Sequence, residues 1–135
     1  MEIQQFEYKD AGLTRVFENE KWMVGIKNWK PANDIANIDC LERHNETDEL
    51  FTLLAGTCVL LSATEVAGGG LEIKATAMEP MKVYNIPRSL WHNTVTTKDT
   101  KLILVEDSST SSKNSDVIQL DAAQIAAVKK LAAGL

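Results

Sequence analysis

Both histidines of the chain stand among other side chains able to ligate a metal or exchange a proton. His44 lies in Glu42-Arg43-His44-Asn45-Glu46-Thr47-Asp48-Glu49, and His92 follows Ile86-Pro87-Arg88-Ser89-Leu90-Trp91. On an extended strand Glu42 and His44 are two apart and face the same way, while Glu49 opens the next strand with Phe51 and Leu53 on its face. Two imidazoles and two carboxylates can then converge. Such nitrogen and oxygen donors suit a first-row divalent ion such as Mn, Fe, Co, Ni or Zn, with one or two positions left to water or substrate. Without a cation, two buried carboxylates side by side repel, and one takes up a proton at a raised pKa. The bland alternative is a hydrogen-bonded structural histidine with an exposed Glu42–Arg43 pair worth under about 1 kcal/mol.

Strands must position these residues. Short apolar runs recur at 15–17, 22–26, 50–54, 58–61, 71–73, 83–86 and 102–105, separated by turn material such as Lys30-Pro31, Ala55-Gly56, Gly68-Gly69-Gly70 and Glu79-Pro80. Many short strands at this spacing predict an all-β, antiparallel sandwich or barrel. The glycine triplet reads as a hairpin connection, because no Gly-Lys-Ser/Thr follows it. Thr94 shares a strand face with His92, and Tyr84 has the same parity, although Pro87 interrupts the register. Residues 108–117 read as a Ser-rich linker. Asp121 as N-cap, Gln124 three positions on, the Leu120/Ile125 staple and a closing Gly134 predict a helix over 122–133 with an Ile125-Val128-Leu131-Ala132 stripe.

With 135 residues, 44% of them hydrophobic, the chain has the size of one compact domain and enough apolar material for a core without disulfide or metal staples. Fourteen Lys plus Arg against nineteen Asp plus Glu leave a net charge of −5, which argues against a nucleic-acid or anionic-membrane partner. No run approaches the roughly 18 apolar residues of a membrane span, and the first residues lack the pattern of a signal peptide, so the expectation is a cytoplasmic protein. Cys40 and Cys58 read as free thiols.

The two histidine stretches resemble the two motifs of the cupin superfamily. His44, Glu49 and Gly56 match the first motif, and Pro87 and His92 match the second. Glu42 stands at the position of another histidine ligand, Ala36 and Met81 where each motif opens with Gly, Ser89 at a further Gly, and Thr96 at an Asn. The resemblance covers about residues 36–107. It implies an antiparallel double-stranded β-helix, or jelly-roll barrel, here with a C-terminal α-helix, and a divalent metal held by His44, Glu49 and His92 with Glu42 as ligand or general base. The expected organisation is N-terminal strands over 1–35, a barrel core over 36–107, the linker over 108–117 and the helical segment over 118–135.

Cupins span many reactions and also non-catalytic binding domains, so the resemblance selects no reaction. One reading is a small metallo-enzyme acting on a polar small molecule, a sugar or small organic acid, with Phe51, Tyr84 and Thr94 as substrate-contacting candidates. The other is a non-catalytic ligand-binding or sensor domain with an incomplete metal site. An open, polar cavity with a second acid or base favours the enzyme; an apolar or occluded cavity favours the binder. Metal-independent epimerisation would need Tyr84 opposite a histidine. Phosphorylated substrates fit less well, because Arg43 and Arg88 fall at an outward strand position and in a turn. Finally, Leu50, Thr52 and Leu54 lie opposite Glu49, Phe51 and Leu53, and 102–105 has no polar face. Something must cover that outer face, and N-terminal strands, the helix or a second copy in a homodimer are the options.

Overall fold

The computed structural model describes residues 1–133, and Gly134, expected to close the helix, lies outside the described residues. The elements run in order β1 (Leu13–Glu18), β2 (Trp22–Asn28), a 3-10 turn (Pro31–Asn33), β3 (Cys40–His44), β4 (Glu49–Ala55), β5 (Cys58–Val66), β6 (Gly70–Ala77), β7 (Tyr84–Ile86), β8 (Trp91–Thr96), β9 (Lys101–Asp107), a second 3-10 turn (Ser112–Asn114), β10 (Ser115–Gln119) and α1 (Ala122–Leu131). They form two five-stranded antiparallel sheets of order β1-β2-β9-β4-β7 and β10-β3-β8-β5-β6. From β3 to β5 and again from β7 to β10 the chain changes sheet at every step, which is the jelly-roll winding expected from the sequence.

The space between the sheets is apolar at one end and polar at the other. Phe51, Leu53, Cys58, Leu60, Leu102 and Leu104 fill the apolar end, and Met23 and Ile86 join them from the rows of Glu106 and Glu49. Each such side chain, fully buried, contributes about 1.5–3 kcal/mol. The outer face of the second sheet packs Leu41, Leu61, Trp91 and Val95 against Ile38, Leu120, Val128 and Ala132. The helix therefore docks on its own barrel. Its capping box is present as read, with Gln124 N–H donating to Asp121 at 2.8 Å and Asp121 N–H donating to Gln124 at 2.9 Å. It ends at Leu131, two residues short of the expected end, and Leu131 is exposed, so the buried stripe narrows to Val128 and Ala132 with Ile125 beside them.

Two expectations about the flanks change. The segment 108–117 is not a free linker: it ends in β10, which pairs with β3 along Ser115↔His44, Asp116↔Arg43 and Val117↔Glu42. Its serines and threonines supply turn and edge contacts that a composition rule for linkers does not weigh. The N-terminal strands do not cover the first sheet's outer face either. They extend it, because β2 pairs with β9 and β1 with β2. Trp22 (47% exposed), Leu50 (37%) and Leu54 (54%) stay open on that face.

The turns carry the backbone strain. Met81 (φ 71°) and Ser89 (φ 70°) are the non-glycine residues with left-handed backbone among those described. Both occupy positions where the resembled motifs have Gly. Gly56 is retained, and there the requirement is also steric: at φ 70° an added Cβ would lie 2.5 Å from the Thr100 nitrogen. Met81 and Ser89 are exposed, so a side chain costs only the left-handed strain. Gly56→Ala is therefore expected to cost at least about 2 kcal/mol, whereas Ser89→Gly is expected to be neutral or stabilising by up to about 1 kcal/mol; denaturant unfolding of the two variants measures both.

Candidate metal centre

The polar end of the barrel is a cavity of about 400 Å³ whose wall includes Glu42, His44, Glu49, Phe51, His92, Thr94 and Glu106. Register explains the convergence. Glu42 pairs with His92 across β3 and β8, so these side chains and that of His44 point off one face of the second sheet. Glu49 pairs with Glu106 across β4 and β9, so both carboxylates point off the facing sheet toward them. His92 Nε2 lies 3.1 Å from Glu49 Oε1 and 3.9 Å from Glu42 Oε1. His44 Nε2 lies 3.5 Å from Glu49 Oε1, 3.9 Å from Glu106 Oε2 and 4.0 Å from Glu42 Oε1.

The far ring nitrogens of both histidines are already engaged. His92 Nδ1 is 2.9 Å from the Leu90 carbonyl, which can only accept, so this nitrogen carries the proton. In the neutral ring Nε2 then presents a lone pair to Glu49, two acceptors facing one another across 3.1 Å. A proton or a cation must sit between them. His44 Nδ1 meets Ser115 Oγ at 2.8 Å. Its Nε2 and the Glu106 Oε2 are both buried without a hydrogen-bond partner.

The titrations express the same frustration. Burial pushes the Glu49 carboxyl up, but the close imidazoles of His44 at 3.5 Å and His92 at 3.1 Å, when protonated, outweigh it and hold the group down to about 2. The nearby Glu49 carboxylate is the main cause of a raised His44 pKa, opposed by burial. Glu106 is pushed up to about 8, first by burial and then by the charge of Glu49. Glu42, His44 and His92 form one set of ligand atoms within 4.8 Å of one another, and His44, Glu49 and Glu106 a second; these two sets, which share His44 and include buried polar atoms without partners, fit a divalent transition metal.

The loops fix this geometry from outside. Asp48, which the sequence places in a solvated turn, ties the two histidine stretches together: Arg88 N–H donates to it at 2.9 Å and Asn85 Nδ2 at 3.2 Å. These contacts, the Arg88 bond first, hold its carboxyl below the usual range. Ser89 N–H donates to the His44 carbonyl at 2.7 Å. On the other side Thr110, Ser111, Ser112 and Ser115 form part of the cavity wall, anchored by Arg15 Nη2 on the Thr110 carbonyl at 2.7 Å and by Thr47 with Thr110 at 2.8 Å.

Of the residues singled out from the sequence, Glu42, His44, Glu49, His92, Phe51 and Thr94 meet at this cavity. Tyr84 does not. It pairs with Phe51 across β7 and β4, leans on the apolar core, and its hydroxyl accepts the Glu79 N–H at 2.8 Å. That placement removes the His/Tyr pair on which metal-independent epimerisation depended. Trp91 faces outward as read, under the Arg43 guanidinium at 4.4 Å. Glu106 and Ser115 were missed. The sequence signal for Glu106 was present, as the one acid ending an apolar strand in phase with Leu102 and Leu104; for Ser115 there was none.

No protein-family model and no curated protein matches the chain. Solved structures do. A protein from Planctomyces limnophilus aligns at 12% identity over 84% of this chain and 96% of its own, with a TM-score of 0.55. A variant of Streptomyces PAC13 with uridine aligns at 8% identity over 89% and 95%, TM-score 0.59, and Pac13 is described as a unique nucleoside dehydratase. KdgF from Halomonas sp. aligns at 13% identity over 77% and 87%, TM-score 0.51. At such identities the likeness is one of fold, and the two antiparallel jelly-roll sheets with their histidines facing inward give this chain the cupin fold.

Proposed function

We propose that the chain is a small cupin enzyme that holds one divalent transition metal, Mn, Fe, Ni, Co or Zn, through His44, His92, Glu49 and Glu106, with Glu42 as a further ligand or general base, and acts on a polar small molecule. The reading rests on one observation above the others: His44 Nε2 and Glu106 Oε2 are buried and unpaired, and His92 Nε2 faces the Glu49 carboxylate at 3.1 Å, where a proton or a cation must sit between them. A bound cation relieves all three at once. When present it supplies Lewis-acid polarisation of a ligand oxygen and lowers the pKa of bound water. The chain's own contributions are separate. Glu42, whose side chain is 43% exposed, can exchange protons with ligand and solvent, and Phe51 and Thr94 flank the ligand. Ser115 and Leu90 orient the two imidazoles.

The additional carboxylates in the cavity wall, with Glu42 partly open to solvent, favour an enzyme over a sensor domain with an incomplete site. Uridine bound to the PAC13 variant supports a small polar ligand in a cavity of this kind. The same proposal extends to assembly: the helix and N-terminal strands leave Trp22, Leu50 and Leu54 open, so a second copy of the chain covers that face. Light scattering at micromolar concentration should give a dimer mass, and a monomer mass refutes this part.

Elemental analysis of protein purified without chelator should find close to one transition metal per chain, and none in the His44→Ala/His92→Ala double variant. Protein that stays metal-free when Mn, Fe, Ni, Co and Zn are supplied refutes the reading. Ser115→Ala, which frees the His44 ring without removing a ligand, should weaken metal affinity roughly 10- to 100-fold in a competition titration. The chelated chain has its own signature. Glu106 rises from an ordinary 4.5 to about 8 on folding and His44 rises as well, so the folded chain binds more protons than the unfolded one across that interval. Its stability should therefore fall as pH rises from about 4.5 to 8. Glu106→Gln should flatten the slope, as read from thermal midpoints at pH 5 and pH 8.

A further inference from the structure

The inner face of β2 brings a cation into the cavity that neither histidine stretch contains. Met23, Gly25 and Lys27 stand opposite Glu106, Leu104 and Leu102 of β9, so Lys27 lies two inward rows from the metal-facing carboxylates. Two rows span on the order of 13 Å of strand. Lys27 lines the same cavity as His44, Glu49 and His92, and Leu13, Phe51, Leu104 and Val117 supply apolar wall. Gly25 permits this wall: a Cβ there would lie 2.7 Å from Leu13 Cδ1 and 3.1 Å from Leu104 Cδ1.

The Lys27 ammonium has no hydrogen bond and no ion pair within 4.0 Å among the described residues. Lys101 shows the contrast, with its ammonium 2.8 Å from the Tyr8 carbonyl and 2.7 Å from Asn28 Oδ1. Burial lowers the Lys27 pKa, and the more distant charges of Glu49 and Glu42 pull it back up. Cys58, the nearby acidic group in the core, offers no counter-charge, since burial pushes its thiol up to about 12. An amine placed in a half-apolar cavity and left without a partner is a recognition element for a ligand oxyanion.

We propose that Lys27 forms an anion subsite, and that the ligand of this cavity is a small acid with an oxyanion on Lys27, an aliphatic or sugar-ring middle against Phe51 and Leu104, and oxygens at the metal end. The proposal deepens the reading above and shares only the metal end with it. It also revises the sequence argument against phosphorylated ligands, which weighed Arg43 and Arg88 and not β2.

Calorimetric titration with glutarate, glycerol phosphate and the uncharged 1,5-pentanediol tests it, on metal-loaded and on chelated protein. Wild type should bind an anion about tenfold or more tightly than the diol, and glutarate against glycerol phosphate tells carboxylate from phosphate. Lys27→Met should lose that preference while keeping its metal content, and Lys27→Arg should retain it. A preference that survives in Lys27→Met overturns the subsite, as does wild type that binds neither anion above the diol. Should Lys27→Met fail to fold by its thermal midpoint, Lys27→Gln is read in the same way. A chain that takes no metal refutes the metal reading alone, because the Lys27 difference is still measured in the chelated protein.

Discussion

Glu49 and Glu106 stand directly opposite one another on neighbouring strands, both under a tenth exposed, and the cost of holding two desolvated carboxylates there shapes everything around them. One can be compensated by the two imidazoles, which is why Glu49 is held near 2. The other is then left without a partner, and its pKa climbs toward 8. A structure with no further purpose for Glu106 would be more stable with an apolar residue at the end of β9, since a buried charge pair seldom outperforms well-packed hydrophobic side chains. The arrangement makes physical sense as half of a cation site. The protein stores electrostatic frustration at one end of its barrel and depends on the apolar end to keep the sheets in place.

That dependence is visible in how the polar end is clamped. Its walls are strand termini and turns, the weakest parts of a sandwich, yet each is bound to another. Asp48 fixes the turn before β8, Ser89 N–H fixes the end of β3, Arg15 holds the Ser-rich loop by its carbonyls, and β10 closes the sheet edge beside His44. Side chains that approach a metal need rotamers locked by such outer contacts. The loops here serve as the rigid frame of the site.

What the sequence revealed follows from the range of the interactions involved. Glu42 and His44 are two residues apart, and Glu49 shares a face with Phe51, so local alternation was enough to bring them together. The helix was equally local, because its cap and staple lie within six residues. Glu106 and Ser115 became site residues through pairing with β4 and β3, across 57 and 71 positions; alternation with Leu102 and Leu104 turns Glu106 inward but does not name its partners, and nothing within its own segment marks Ser115. Residues 108–117 read as a linker because composition registers the absence of apolar side chains but not the edge of a sheet waiting for hydrogen bonds. Tyr84 shows a related limit: its parity with His92 says nothing of depth, and opposite Phe51 on β7 it packs on the apolar cluster and does not line the cavity.

The degenerate motif positions show which parts of the pattern the fold itself requires. At Gly56 the backbone of Thr100 passes within 2.5 Å of where a Cβ would be, and glycine remains. At 81 and 89 the backbone keeps the same left-handed turn, but the side chain points into solvent, so Met and Ser are borne at a cost of about 1–2 kcal/mol each. Substituting Glu42 for an imidazole is of another kind, because it changes the charge of the donor set and not the backbone. At the turns of Met81 and Ser89 the left-handed backbone is kept without glycine. At position 42 a carboxylate stands where the resembled motif has an imidazole, which brings more negative charge into the cavity that Lys27 also lines.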